Sequence, residues 1–198
     1  MIAPAIAAVG RLVGGGSVSW LTDPLADRQR IFFANHSSHL DFMLVWAYLP
    51  PPSRRRTRPV AAQDYWERGR ARKYFAAAVF DAVLIDRGGG GKGAVARMVE
   101  GLGDSHSLIV FPEGTRGSGG QIAPFKSGLY HLASARPDVE LVPVSLENLN
   151  RILPKGEIVP VPMISRVVFG PGLRLENGES KADFLERARS AVVRLRDE

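Results

Sequence analysis

Apolar residues in this chain fall into short solid runs alternating with stretches of helical period, and that alternation sets the expected architecture. Residues 31–34, 83–85, 107–111 and 139–146 are nearly continuous apolar runs bounded by polar or turn residues, the pattern of strands buried on both faces. Residues 59–62 add another strand, and 158–169 one or two more, broken at Pro160 and Pro162. Between them lie expected helices. The first, 42–48, is opened by the capping box Ser38-His39-Leu40-Asp41 and ended by Pro50-Pro51-Pro52, before a basic turn at 53–58. Others cover 64–80, 94–102 and 128–135. The last, 181–196, carries Phe184, Leu185, Ala188, Val192 and Leu195 toward the core. Strands alternating with helices predict an α/β fold: a single domain with a mixed, largely parallel central sheet flanked by helices. No internal repeat or disordered tail interrupts it.

The N-terminal stretch reads differently. Ile2, Ile6, Val9, Leu12 and Val13 recur at helical spacing, so residues 1–20 form an amphipathic segment that either packs on the domain or lies in a bilayer interface. No apolar run approaches the ~18 to 20 residues of a spanning helix. Residues 1–9 stop at Gly10-Arg11, and 74–85 is interrupted by Asp81. A secretory signal is not expected, since no basic leader precedes the apolar part and Gly14-Gly15-Gly16 follows it. The expected division is therefore a membrane-interfacial segment at 1–30 and the main domain at 31–198, with any membrane role peripheral.

At 198 residues and 45% hydrophobic content, the chain suits one domain with a substantial core. A net charge of +6 implies an anionic partner, whether nucleic acid, a lipid surface or a phosphorylated substrate, and charge alone does not choose. Residues 54–73 concentrate Arg54, Arg55, Arg56, Arg58, Arg68, Arg70, Arg72 and Lys73 against Asp64 and Glu67. Such a cluster attracts anionic headgroups; the plainer reading is a solvated, Arg-rich helix face. Tyr65, Trp66 and Tyr74 are interleaved with it as base-stacking rings would be, but no recognised nucleic-acid motif accompanies them. The absence of cysteine excludes thiol chemistry, disulfides and thiolate metal sites, and fits a reducing compartment.

Candidate chemistry gathers in polar segments that directly follow predicted strands, where α/β sheets hold their ligands. After 31–34 comes Asn35-His36-Ser37-Ser38-His39-Leu40-Asp41. His36 can take a proton near neutral pH, and Asp41 can hold its ring in one tautomer. In a continuous helix two residues five apart are about 140° out of phase, so the pair needs the strand-to-helix turn predicted between them. Asp41 as a simple helix cap is the competing reading. After 107–111 comes Pro112-Glu113-Gly114-Thr115-Arg116-Gly117. Gly114 lets backbone amides approach a ligand, Thr115 adds a hydroxyl and Arg116 a forked donor for phosphate, while Glu113 could bind a hydroxyl or orient a basic side chain. Ile85-Asp86-Arg87 and Pro124-Phe125-Lys126 bring two more cations to strand or helix ends. Each cation alone is an ordinary surface charge; together they suggest an anion site.

Other motifs fail. Gly88 to Lys92 lacks the leading glycine and the Ser or Thr of a P-loop; His36 and His39 find no ligand spacing with His106 or His131, so no metal is expected; no Gly-x-Ser-x-Gly elbow occurs.

Taken in order and spacing, Asn35-His36 to Asp41, Ile85-Asp86-Arg87, Phe111 to Arg116 with Pro124-Phe125-Lys126, and Val142-Pro143-Val144 resemble the four motif blocks of the glycerolipid acyltransferases, closest to the lysophosphatidic acid (1-acyl-sn-glycerol-3-phosphate) branch. One His-x4-Asp is weak, but followed about 70 residues later by Phe-Pro-Glu-Gly-Thr-Arg it is specific. The resemblance implies direct transfer of an acyl group from an acyl-CoA or acyl carrier protein thioester to a lipid hydroxyl, with no cofactor beyond that co-substrate. It implies His36 as general base and Asp41 as its orienter. Arg87, Arg116 and Lys126 would hold the acceptor phosphate, with Glu113, Gly114 and Thr115 shaping the pocket. Lysophosphatidic acid is the favoured acceptor, with glycerol 3-phosphate or a lyso-aminolipid as alternatives. An anionic membrane surface is the expected partner, on the inner face of the cell membrane and reached from the cytoplasm; nucleic acid is not expected. The rival is a noncatalytic basic module binding anionic membranes or nucleic acid. Two departures stand out: Phe80-Asp81-Ala82-Val83 lacks a glycine usual in the family, and only about 30 residues precede the first block, little room for the longer anchoring region of many relatives.

Overall fold

The fold is read from a computed structural model that describes residues 2–38, 41–66, 69, 74–86, 91–117, 120–148 and 165–198. Seven strands form the central sheet: β1 (Ser17–Trp20), β2 (Arg30–Ala34), β3 (Thr57–Ala62), β4 (Val83–Ile85), β5 (Ser107–Val110), β6 (Glu140–Glu147) and β7 (Arg166–Phe169). Their spatial order is β1-β7-β6-β2-β5-β3-β4, and every neighbouring pair is parallel except β6 with β7. This is the largely parallel α/β sheet that the alternating pattern predicts.

β2 is central and buried along its whole length. Side chains alternate across a strand, so Phe32 and Ala34 enter one core while Ile31 and Phe33 enter the other. That double burial is why its sequence is an unbroken apolar run. Helices α1 (Ile2–Gly14) and α2 (Asp41–Tyr48) cover the first face, contributing Ala7, Leu44, Val45, Trp46 and Ala47. Helices α5 (Gly91–Leu102), α6 (Gly128–Ala135) and α7 (Lys181–Arg194) cover the second, with Met98, Leu102, Leu129, Leu132, Phe184, Ala188 and Val192 buried. Two short helices, α3 (Pro51–Arg55) and α4 (Gln63–Trp66), flank β3.

Several local expectations are corrected. The amphipathic segment does not run to residue 20: α1 stops at Gly14, and Gly15 takes a left-handed φ of 53° that closes the helix. Ser17-Val18-Ser19-Trp20 then becomes β1, with Trp20 stacked on Phe169 at 3.7 Å, so the sheet reaches into the first thirty residues. Pro51 and Pro52 do more than end α2. They open α3, because a helix's first turn has no use for the missing N–H. Of the helix expected at 64–80, the described parts are α4 and a π-helical turn, Phe75–Val79; residues 67, 68 and 70–73 lie outside the described residues, as do 151–164 with the expected strand region around Pro160 and Pro162.

The basic cluster is also revised where it is described. Arg54 is only 8% exposed and donates to the carbonyls of Trp46 (3.2 Å), Ala47 (2.9 Å) and Leu49 (2.8 Å), the orphan acceptors at the end of α2. Arg56 pairs with Asp27, and Arg58 with Asp81. Asp81 adopts φ 46°, the left-handed region that glycine favours and a short polar side chain tolerates. Three of the eight cluster residues thus serve the fold; Arg68, Arg70, Arg72 and Lys73 lie outside the described residues.

Arg54→Ala should lower the unfolding free energy by about 2 kcal/mol, since it strands the Trp46 and Leu49 carbonyls and leaves Ala47 only its bond from Arg11, whereas Arg55→Ala on the exposed side should change it by less than about 0.5 kcal/mol. Urea unfolding of the two variants checks this; equal effects would return Arg54 to the surface charges.

Candidate active site

Two strand ends and one helix start build the site. In a parallel sheet neighbouring strands finish at the same edge, and β2 pairs with β5 so that Phe33 lies opposite Val110. The chain leaving β2 and the chain leaving β5 therefore emerge side by side. Asn35 closes β2: its side-chain amide donates to the Leu146 carbonyl at 2.8 Å and its side-chain oxygen accepts the Leu146 N–H at 2.8 Å, tying the strand end to β6.

The turn after Asn35 brings His36 and Asp41 together. His36 Nδ1 lies 2.8 Å from Asp41 Oδ2. A carboxylate only accepts, so Nδ1 carries the proton and Nε2 is left as the acceptor, with no hydrogen-bond partner among the described residues. The same Oδ2 accepts the backbone N–H of Ser37 at 2.6 Å and of Ser38 at 2.8 Å. The Ser38 bond is the reach-back half of the capping box. Capping and orienting are thus performed by one oxygen of a residue with no exposed surface. His36 keeps 19% of its side chain exposed and stacks on Phe111 at 4.3 Å and 22°. Phe111 was part of the motif without a role; an aromatic ring at a strand's end beside a polar loop is the signal that points to it.

The second loop wraps back on the first. Glu113 is 5% exposed, and its Oε1 accepts the His36 N–H at 2.7 Å while Oε2 accepts the Ala123 N–H at 3.0 Å. This carboxylate holds two stretches of backbone. Gly117 donates its N–H to the His36 carbonyl at 2.8 Å, and Lys126 its N–H to Pro112 at 2.9 Å. Gly114 has φ 71°, and a β-carbon there would sit 2.7 Å from Lys126 Nζ, so glycine makes room for the ammonium group. Lys126 and Thr115 are exposed and Arg116 half-buried. None of the three side chains has a hydrogen-bond or ion-pair partner among the described residues. Arg87 lies outside the described residues; Asp86, just before it, follows β4 at the same edge of the sheet.

At this sheet edge the structure thus gathers an oriented imidazole and the loop that carries Arg116 and Lys126, neither cation paired among the described residues. The Acyltransferase family model matches residues 22–147. The chain belongs to the acyltransferase family. It is 30% identical over 146 residues to the 1-acyl-sn-glycerol-3-phosphate acyltransferase of Escherichia coli (strain K12), covering 66% of this chain and 54% of that protein. It is also 30% identical over 131 residues to 1-acyl-sn-glycerol-3-phosphate acyltransferase alpha of Mus musculus, 64% of this chain and 43% of that one. The crystal structure of the 1-acyl-sn-glycerophosphate (LPA) acyltransferase PlsC from Thermotoga maritima shares its fold, with a TM-score of 0.77 over 98% of this chain and 77% of that chain at 20% identity. The chain spans about half the length of the curated relatives it matches. Within this chain, the matched stretch holds both loops of the site and excludes α1, β1, β7 and α7.

Asp41→Ala removes the common acceptor of three donors. It should cost about 2 to 3 kcal/mol in urea unfolding and move the His36 ring toward the Nε2–H tautomer in 15N spectra. An unchanged tautomer would show that Asp41 caps the helix without orienting the ring.

Proposed function

We propose that this acyltransferase moves a fatty acyl group from the thioester of acyl-CoA or acyl carrier protein to the hydroxyl of lysophosphatidic acid, forming phosphatidic acid in phospholipid synthesis. The observation that carries the reading is the His36 Nδ1 to Asp41 Oδ2 contact of 2.8 Å, which leaves Nε2 open beside the Arg116 and Lys126 loop. Nε2 accepts the proton of the acceptor hydroxyl as its oxygen attacks the thioester carbonyl. The imidazolium is stabilised by Asp41. The new C–O bond forms, the C–S bond breaks, and the proton on Nε2 goes to the departing thiolate. No acyl-enzyme and no cofactor takes part. Arg116 and Lys126, joined by Arg87, hold the acceptor's phosphate as charge-assisted donors. Gly114 and Thr115 line its approach, and Glu113 keeps the base at its station. Support also comes from the relatives, each named for transfer to 1-acyl-sn-glycerol 3-phosphate.

The acceptor is carried on a membrane, and we place the protein peripherally on its inner face. No helix among the described residues is long and apolar enough to cross a bilayer. Val9, Leu12, Val18, Leu21 and Leu25 are exposed apolar side chains on α1, β1 and the loop after β1, suited to shallow insertion into an anionic surface. The noncatalytic basic module is less well supported, because Arg54, Arg56 and Arg58 already have internal partners.

His36→Ala should reduce thiol release from acyl-CoA and acyl carrier protein, measured with lysophosphatidic acid, by about 10² to 10⁴-fold. Lysophosphatidic acid should outpace glycerol 3-phosphate, lyso-aminolipids and a phosphate-free monoacylglycerol in the parent. Transfer undiminished in the variant would sink the base assignment, and a different preferred acceptor would sink the substrate. Sedimentation with vesicles of anionic lipid checks the docking face: Leu12→Asp should weaken binding several-fold, as loss of one buried leucine and gain of a repelled charge require. Unchanged binding would move the contact elsewhere.

A further inference from the structure

Glu113 holds His36 through one oxygen and the Ala123 N–H through the other. The Ala123 nitrogen belongs to the same peptide unit as the Ile122 carbonyl, and that carbonyl accepts a hydrogen bond from Arg189 Nη1 at 3.2 Å. Arg189 lies on α7, outside the stretch matched by the family model. Its other two nitrogens are held by Glu186 at 3.1 and 3.0 Å, so the guanidinium is aimed rather than free to wander. The peptide unit itself is fixed by the buried Ile122 side chain, and Phe125 packs edge-on against Phe33 of β2. A cation donating to a peptide carbonyl polarises that peptide and makes its N–H a stronger donor. The polarised N–H points at a carboxylate, whose second oxygen grips the backbone of the base.

We propose that Arg189 is a positioning residue for His36, acting through the Ile122–Ala123 peptide and Glu113. The inference rests on the base assignment above and adds a residue from the C-terminal helix that no motif of the site contains. Arg196, two residues past the end of α7, strengthens the same attachment by donating from Nη1 to the Gly120 carbonyl at 2.6 Å. Because Arg189 touches no reacting atom, it governs where the base stands and leaves phosphate binding to the loop cations.

The test compares Arg189→Met with Arg187→Met. Arg187 is a cation on the same helix whose partners are Glu179 and the Arg174 carbonyl, away from the loop. In 1H–15N spectra of the full chain, the His36 and Ala123 amide protons should move upfield in Arg189→Met, as weaker hydrogen bonds require, and stay in place in Arg187→Met. In acyl transfer to lysophosphatidic acid, kcat should fall roughly threefold to thirtyfold in Arg189→Met, with the acceptor KM within about twofold of the parent. Arg187→Met should keep both constants. Arg189→Gln is run alongside, so that loss of folding in the Met variant leaves a second variant to read. A His36 amide unmoved by either substitution, or a rise in KM at constant kcat, overturns the relay. A parent that transfers no acyl group overturns the proposed function instead, and the amide shifts still judge the relay.

Discussion

The pairing of β2 with β5 is the constraint on which the site depends. Two parallel strands buried on both faces must end at the same edge, and their register puts residue 36 within stacking distance of residue 111. Everything polar in the site follows from how the chain leaves that edge. Asn35 fastens the exit of β2 to β6, Asp41 turns the chain into α2, and Glu113 draws the exit of β5 against the exit of β2. The apolar core fixes the strands; the hydrogen bonds at their ends fix the chemistry.

The two carboxylates of the site are nearly inaccessible and both serve the backbone. Asp41 gathers two amides and an imidazole on one oxygen, and Glu113 bridges two loops through its two oxygens. Carboxylates that gather backbone amides make a rigid frame, because the loss of either one strands several donors at once. The imidazole is thereby held in one orientation by the fold itself. The cations differ. Arg116, half-buried, and Lys126, exposed, have no internal partners among the described residues, and neither has the neutral Thr115 hydroxyl beside them.

Arginine divides into two populations in this basic chain. Arg54 ends a helix, Arg56 and Arg58 close ion pairs, and Arg189 of the C-terminal helix and Arg196 just past it tie the chain's end to the second loop. A forked, permanently charged donor suits carbonyls in clusters, which a lysine's point charge serves less well. Net charge therefore overstates the positive surface offered to a partner. The Arg58 to Asp81 pair shows the same economy at a strained turn, where an aspartate stands in the left-handed region and is held there by its counterion.

The sequence by itself determined the sheet and its helices, because burial on two faces demands apolar runs such as 31–34 and 107–110, and helix faces demand the spacing seen in Phe184, Ala188 and Val192. It also determined that His36 and Asp41 would flank a turn and that Glu113 to Arg116 would follow a strand, since motif spacing and strand ends are local properties. It did not reveal β1, whose four residues follow glycines at the end of an apolar helix and gain their strand character from β7. Nor did it distinguish Arg54 from Arg55, although one is buried and the other exposed. The same limit hid the roles of Phe111, Glu113 and Arg189. Each depends on a partner 67 to 77 residues away in the chain, and such pairings exist only once β2, β5 and α7 have been brought together by the core.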